Sequence, residues 1–176
     1  YHNIIDDEFY DNACHLSLTH KASVFDNQIA LLKRNFSIGM GLEPGHILIT
    51  FDDGYKNNIE VALPIMERHA VCATFFVPAC YFESSEMLWV DKMLLWLSHV
   101  PSGTYQIVSE LITIDNRASR KKAFETVWAG LVNDYSTKQQ ILEDMEQAFC
   151  FTRLEIEEAF FKQRFEPLNR EDIDHL

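Results

Sequence analysis

The segment that most constrains this chain is an apolar run ending in two aspartates and a glycine, residues 47–54 (Ile-Leu-Ile-Thr-Phe-Asp-Asp-Gly). Consecutive apolar residues predict a strand buried on both faces, as in parallel sheets, and α/β folds place their chemistry at the carboxyl ends of such strands. Adjacent strand residues point to opposite sides, and Gly54 permits a turn after them. The run therefore predicts two carboxylates with separate roles, one at a metal and one moving protons. The alternative is a surface turn without chemistry.

The residues that follow predict a second strand parallel to the first. Apolar spacing indicates a helix over about 56–69, whose regular start Pro64 kinks or delays. Residues 71–77 then read as a strand. Strand 46–51, this helix and this strand make a βαβ unit, which implies a parallel pair with a right-handed crossover.

Further elements are predicted on both sides of this unit. Before it, residues 24–36 have helical spacing, and Ser23 is expected to cap that helix. After it, residues 104–114 predict a hairpin or a pair of short strands, and helices are expected at about 118–133, 137–149 and 153–164. Asn169 could cap one more short helix.

Charge and composition narrow the classes of partner. The 176 residues carry a net charge of −12, which argues against nucleic acid or an anionic membrane as the main partner, because both select basic surfaces. No apolar run approaches the roughly 20 residues of a membrane-spanning helix, and no signal peptide is visible. The four cysteines are scattered without a Cys-x-x-Cys pair, so we expect free thiols, with Cys72 buried in its strand.

Several segments together resemble a known family. Thr50-Phe51-Asp52-Asp53-Gly54 resembles the first motif of the polysaccharide deacetylases of the NodB-homology type, metal-dependent esterases that remove N- or O-acetyl groups from glycans. Other similar segments are Tyr1-His2, Phe25-x-x-Gln28-x-x-x-Leu32, Ala62-Leu63-Pro64-Ile65, Ala73-Thr74-Phe75-Phe76-Val77 and Trp89-Val90-Asp91.

The resemblance implies a fold, a chemistry and roles for the two aspartates. It implies an α/β fold, an incomplete, irregular (β/α) barrel of the NodB type with an inserted or appended helical region. Asp52 would be the general base that activates a water at the metal, and Asp53 would bind a divalent metal, usually Zn²⁺. The substrate would be an acetylated amino sugar or polysaccharide. His2 would lie near it, at a strand end.

The chain departs from the family in its metal ligands. Two further ligands in the family are histidines of a His-x-x-x-His motif, and this sequence has no such pair. Its histidines are His2, His15, His20, His46, His69, His99 and His175. Catalytic zinc sites use three protein ligands, so we expect the chain as it stands to lack a complete active site and to be inactive as a deacetylase.

The resemblance also implies how the chain is divided into segments, and it leaves other functions open. We expect a single domain over 1–176. The front of the barrel would occupy 1–85 and a helical insertion 86–166, and in 167–176 the chain would come back toward the barrel before the sequence stops. The family implies the cell envelope or secretion, and the cytoplasm stays open because no signal is visible. The rival functions are a non-catalytic relative that binds glycan or serves assembly, and a phosphohydrolase of the haloacid dehalogenase type, which adjacent aspartates disfavour.

Overall fold

In this computed structural model, residues 1–10, 18–41, 44–82, 84, 87–107, 110–149 and 158–174 are described. They fall into two compact units. The described residues of the first unit lie within Tyr1–Asp11, His15–Met87 and Glu157–Leu176, and those of the second lie within Leu88–Ile156.

The described residues include eight short strands and seven α-helices. The strands are β1 (Asn3–Ile5), β2 (Thr19–Lys21), β3 (Ser37–Ile38), β4 (His46–Ile47), β5 (Thr50–Phe51), β6 (Thr74–Phe75), β7 (Gly103–Ile107) and β8 (Glu110–Ile114). The α-helices are α1 (Ala22–Asn35), α2 (Leu63–His69), α3 (Trp89–His99), α4 (Arg117–Asn133), α5 (Lys138–Phe149), α6 (Glu158–Phe165) and α7 (Arg170–Ile173).

The βαβ unit predicted around the two aspartates is present in the first unit. β5 and β6 pair in parallel, with Thr50 opposite Thr74 and Phe51 opposite Phe75. Between them, the residues Asn58–Ala62 form a π-helical turn before α2. Pro64 lies in the first turn of α2, where its missing N–H leaves no helical hydrogen bond unmade. The predicted delay in the regular helix is therefore confirmed.

The apolar run before the aspartates is divided between two partners. β4 pairs with β3, whereas β5 pairs with β6. Ile49 and Phe51 are buried, but Leu48 and Thr50 are only half-buried. The expectation of burial on both faces is therefore wrong for alternate residues, because only one side of the run faces the core.

The core of the first unit is built around aromatic rings. Phe51 stacks on Phe75 at 5.0 Å and on Tyr1 at 5.6 Å between ring centroids. Phe25 of α1 packs edge-on against both Tyr1 and Phe51. The Tyr1 carbonyl accepts a hydrogen bond from the Asp52 amide at 2.9 Å, so the start of the chain lies directly beside β5.

The second unit combines a hairpin with helices. β7 and β8 pair antiparallel, which confirms the predicted hairpin. α4 and α5 begin within about a residue of their predicted starts, a deviation normal for helix ends. Their buried faces share a core with α3 and the hairpin. That core comprises Met93, Leu97, Val100, Ile107, Ile112, Ile114, Ala123, Val127, Leu131, Ile141 and Met145.

The structure corrects two local expectations. α1 begins at Ala22, so Ser23 is inside the first turn rather than its cap, and the Ser23 hydroxyl donates to the carboxylate of Asp7 at 2.5 Å.

Cys72 and Cys80 are free thiols, as expected, but both are exposed. The burial expected for Cys72 is wrong because β6 begins only at Thr74. Cys14 and Cys150 lie outside the described residues.

The α/β character is confirmed, whereas the barrel stays a prediction. The first unit contains both strands and helices, but the described residues form two-stranded sheets, none of which closes into a barrel. Within the same residues, no helix is long and apolar enough to cross a membrane.

Candidate active site

The two aspartates lie on a turn directly after β5. Asp52 follows the strand, and Asp53 and Gly54 then take positive φ angles of 69° and 62°. This left-handed backbone makes the turn at Asp53 and Gly54. Both side chains remain partly accessible, with 44% of Asp52 and 36% of Asp53 exposed. The turn expected from Gly54 is thus present, and it begins one residue earlier, at Asp53.

His2 brings a third polar group to the same place. It precedes β1, and its Nε2 lies 3.8 Å from Oδ2 of Asp52 and 3.8 Å from Oδ2 of Asp53. These separations suit charge interaction and are too long for hydrogen bonds. The resemblance placed His2 near the substrate at a strand end; the structure places it before β1 and beside the two aspartates, and its position relative to a substrate stays a prediction.

The electrostatics of the site distinguish Asp53. Burial raises the pKa of the Asp53 carboxyl above its ordinary value of 3.8; the charge of His2 opposes this rise and the charge of Asp52 adds to it. A group in this state is desolvated and has a like charge beside it, two conditions that disfavour the anion. A nearby cation would relieve both.

Gly54 is enclosed by the chain beyond β6. A Cβ at this position would lie 3.1 Å from Pro78 Cδ, 3.1 Å from Val77 Cγ1 and 3.2 Å from Tyr81 Cε2. The position therefore favours glycine for two reasons: its φ is positive, and an added Cβ would be in tighter than ordinary contact with these three side chains.

The other side of the turn is held by the residues that follow α6. The Leu168 amide donates to the Gly54 carbonyl at 2.8 Å, and the Lys56 amide donates to the Glu166 carbonyl at 2.9 Å. Between these bonds, Tyr55 and Pro167 form an antiparallel bridge. Residues 54–56 are therefore paired with a segment far away in the sequence.

The same contact includes an ion pair. Lys56 Nζ lies 3.2 Å from Glu166 Oε1 and 3.8 Å from Asp172 Oδ2. Burial acts to lower the pKa of Lys56, but the hydrogen bond and charge of Glu166 and the charges of Asp172 and Glu60 outweigh it, so that pKa is raised. The ammonium is thus stabilised in its charged form.

Tyr55 and His69 each have a defined structural position. Tyr55 is only 3% exposed, and the Arg164 guanidinium lies 6.0 Å from its ring centre, so it packs rather than faces solvent. His69 is the last residue of α2, as expected, and its Nε2 lies 2.5 Å from Oδ1 of Asp26.

The donors at the turn fit part of a divalent-metal site. Carboxylate oxygen and imidazole nitrogen are ligands that zinc accepts, and Asp53 and His2 supply one of each. Among the residues that the structure describes, however, no group of three His, Cys, Asp or Glu side chains is placed to hold a metal. The donor types fit, but their number is insufficient for a closed site.

Comparison with known proteins supports the assignment of the chain to a family. Residues 40–150 match the family model for polysaccharide deacetylases, a stretch that includes the aspartate turn and more than half of the chain. The chain belongs to this family, the NodB type of deacetylase.

Comparisons with solved structures and with curated proteins do not add to the family assignment. The chain is similar to a de-N-acetylase from Aggregatibacter actinomycetemcomitans, with 15% sequence identity and a TM-score of 0.41, over 84% of this chain and 74% of that chain. No curated protein sequence shows a significant match. The family assignment therefore rests on the family model.

Sequence reasoning missed the segment that pairs with the turn. Asp52 and Asp53 form a local pattern with Gly54, which made them visible. Lys56 and Glu166 are 110 residues apart, and neither lies in a recognisable pattern. The Gly and Pro residues of the two segments were the only available signals, and neither specifies a partner.

Proposed function

We propose that this chain carries part of the active site of a hydrolase that removes N- or O-acetyl groups from a glycan. The observation that supports this most strongly is the aspartate turn: two carboxylates at the carboxyl end of β5, both 3.8 Å from His2, inside the region that matches the deacetylase family. A glycan substrate follows from the family.

The two aspartates would have different roles. Asp52 is the more exposed carboxylate, and it would accept the proton of the water that attacks the acetyl carbonyl. Asp53 would bind a divalent metal, Zn²⁺ by analogy with the family, because a cation relieves the desolvation and like-charge repulsion that raise its pKa. The metal, when bound, supplies Lewis-acid stabilisation of the developing oxyanion.

The shortage of ligands defines what this chain contributes. Catalytic zinc sites use three protein ligands, and the described residues do not supply such a group. We therefore propose that the chain contributes Asp53, with His2 beside it, and that ligands outside the described residues complete the site. The described residues alone would then release no acetate.

The test uses the longest natural form of the protein, loaded with zinc. Asp52→Asn should lower acetate release by about 10²–10⁴-fold, the typical contribution of a general base, and should retain metal binding. Asp53→Asn should lose both acetate release and metal binding, measured by titration calorimetry. Asp115→Asn, at an exposed turn residue of the second unit, is the control and should change neither. Wild-type turnover in both site variants would refute the proposed roles.

The incomplete ligand set also favours a second candidate, a non-catalytic relative that binds glycan. This protein would bind an acetylated glucosamine oligomer without releasing acetate at any metal concentration. Binding measured on the same preparation separates the two candidates, because the enzyme must release acetate from the oligomer that it binds.

A further inference from the structure

The aspartate turn has a backbone that needs support from its surroundings. Asp53 has a φ of 69° although it carries a side chain, and residues in this region persist where neighbouring structure holds them. The support on one side is the close packing of Gly54 against Pro78 and Val77. A second element supports the turn on its other side.

Residues 163–168, which we call the return segment, provide that second side. Its backbone brackets the turn with two hydrogen bonds, Leu168 N–H to the Gly54 carbonyl and Lys56 N–H to the Glu166 carbonyl. Pro167 lies between them, opposite Tyr55, at a position where the strand pairing requires no N–H donor. Proline is compatible with that position and stiffens it.

The ion pair of Lys56 strengthens the same contact. Its ammonium lies between Glu166 and Asp172. Asp172 is itself fixed, since it forms a capping box with Asn169 at the start of α7. The charges at this point are thus held by a folded helix start.

The return segment also contacts the strand that follows His2. Gln163 and Asp6 exchange two hydrogen bonds: the Asp6 amide donates to Gln163 Oε1 at 2.9 Å, and Gln163 Nε2 donates to Asp6 Oδ2 at 2.6 Å. Asn57 connects the elements, because its Nδ2 donates to the Gln163 carbonyl and its Oδ1 accepts from the Ile4 amide. One segment therefore touches both elements that carry site groups.

We propose that the return segment positions the aspartate turn relative to His2, and that Lys56 and Glu166 are positioning residues of the active site. The catalytic part of this inference rests on the proposed deacetylase function. Neither residue touches the substrate in this account; both act by fixing the backbone that carries Asp52 and Asp53.

The test is a double-mutant cycle in the longest natural form of the protein. Lys56→Met and Glu166→Gln should each lower kcat about tenfold, because a displaced catalytic group loses its alignment, while KM changes less than twofold. The double variant should lose no more than the more damaging single variant, since both substitutions remove one interaction. Lys56→Arg, which keeps the charge, should retain most of kcat.

The matched control is an ion pair away from the site. Lys121 and Glu125 are i,i+4 neighbours on α4 with Nζ 3.8 Å from Oε1, and Lys121→Met with Glu125→Gln should leave kcat and KM unchanged. An unchanged kcat in the Lys56 and Glu166 variants, alone or with a lowered melting temperature, would overturn the proposal. So would fully additive losses in the double variant.

A second measurement separates this proposal from the proposed function. Amide hydrogen exchange at Lys56 and Leu168 should accelerate about tenfold in Lys56→Met and Glu166→Gln, and should stay unchanged in the control variants. If the wild-type protein releases no acetate, the proposed function fails, and the exchange rates then decide whether the return segment holds the turn. Unchanged exchange at both amides would overturn that role.

Discussion

At the scale of single residues, the aspartate turn depends on the absence of a side chain at Gly54. The backbone there is left-handed, and an added Cβ would lie only 3.1 Å from atoms of Pro78 and Val77, which would have to shift. A side chain would have to be accommodated in a strained conformation and against closely packed atoms at once. Since Gly54 follows both carboxylates directly, its replacement is a sensitive probe of the turn.

We predict that Gly54→Ala destabilises the first unit by roughly 2–4 kcal/mol, the sum of a left-handed alanine and local overpacking. Urea unfolding measured by circular dichroism checks this value. Gly45→Ala is the matched control, because Gly45 also has a positive φ, 87°, but has no atom within 4 Å of an added Cβ. It should cost only about 1–2 kcal/mol, the backbone contribution alone. Equal losses in the two variants would contradict the role of close packing at Gly54.

The sequence identified the candidate site residues whose signals are local. Asp52 and Asp53 could be recognised because two carboxylates and a glycine after an apolar run are adjacent in the chain. A position of His2 near the substrate was suggested only by the resemblance to the family, because a histidine near the start of a chain has no local pattern. Lys56 could not be recognised, because its role depends on Glu166, 110 residues away.

At the scale of elements, the periodicity of apolar residues predicted where helices and the hairpin form, but it did not predict which strands pair. α4, α5 and the β7–β8 hairpin form where side-chain spacing predicted them. The run from 46 to 51 was expected to be one strand, yet β4 and β5 pair with different neighbours. Periodicity reports which side chains face a core, and it carries no information about which strand lies alongside.

The end of α2 places an alanine in a conformation that favours glycine. Ala70 follows α2 with φ 48° and ψ 51°, a left-handed helix end. Its amide donates to the Glu67 carbonyl, and the next amide donates to the Met66 carbonyl, so the backbone requires this conformation although alanine disfavours it.

We predict that Ala70→Gly stabilises the protein by roughly 0.5–1 kcal/mol. Relief of the left-handed alanine contributes about 1–2 kcal/mol, and the greater entropy of glycine in the unfolded chain offsets part of it. The midpoint of urea unfolding measures the effect. Ala62→Gly, in the π-helical turn before α2, is the comparison and should destabilise, because the φ of Ala62 is negative and its side chain is buried. A lowered midpoint for Ala70→Gly would refute the interpretation.

At the scale of the whole molecule, each compact unit has its own hydrophobic core. The core of the first unit includes Phe25, Phe51 and Met66, and that of the second includes Ile114 and Met145. The three tryptophans, Trp89, Trp96 and Trp128, all belong to the second unit. Tryptophan fluorescence therefore reports the second unit selectively.

We predict that Met145→Ala lowers the stability seen by tryptophan fluorescence by about 2–5 kcal/mol, because it leaves a cavity in a fully buried position. Leu111→Ala on β8 is the control. Leu111 is 70% exposed, so its truncation should cost less than about 0.5 kcal/mol. A small effect of Met145→Ala would mean that this core is not closely packed.

The pairing of residues 54–56 with residues 166–168 has a consequence for the order in which the molecule acquires its site. Synthesis proceeds from the amino terminus, so the aspartates leave the ribosome roughly 110 residues before their partner segment does. During that interval the turn lacks two backbone hydrogen bonds and the ion pair of Lys56. Contacts between distant residues form late because a long loop must first close. We therefore expect the site to mature only after residues 166–168 have emerged and paired with the turn.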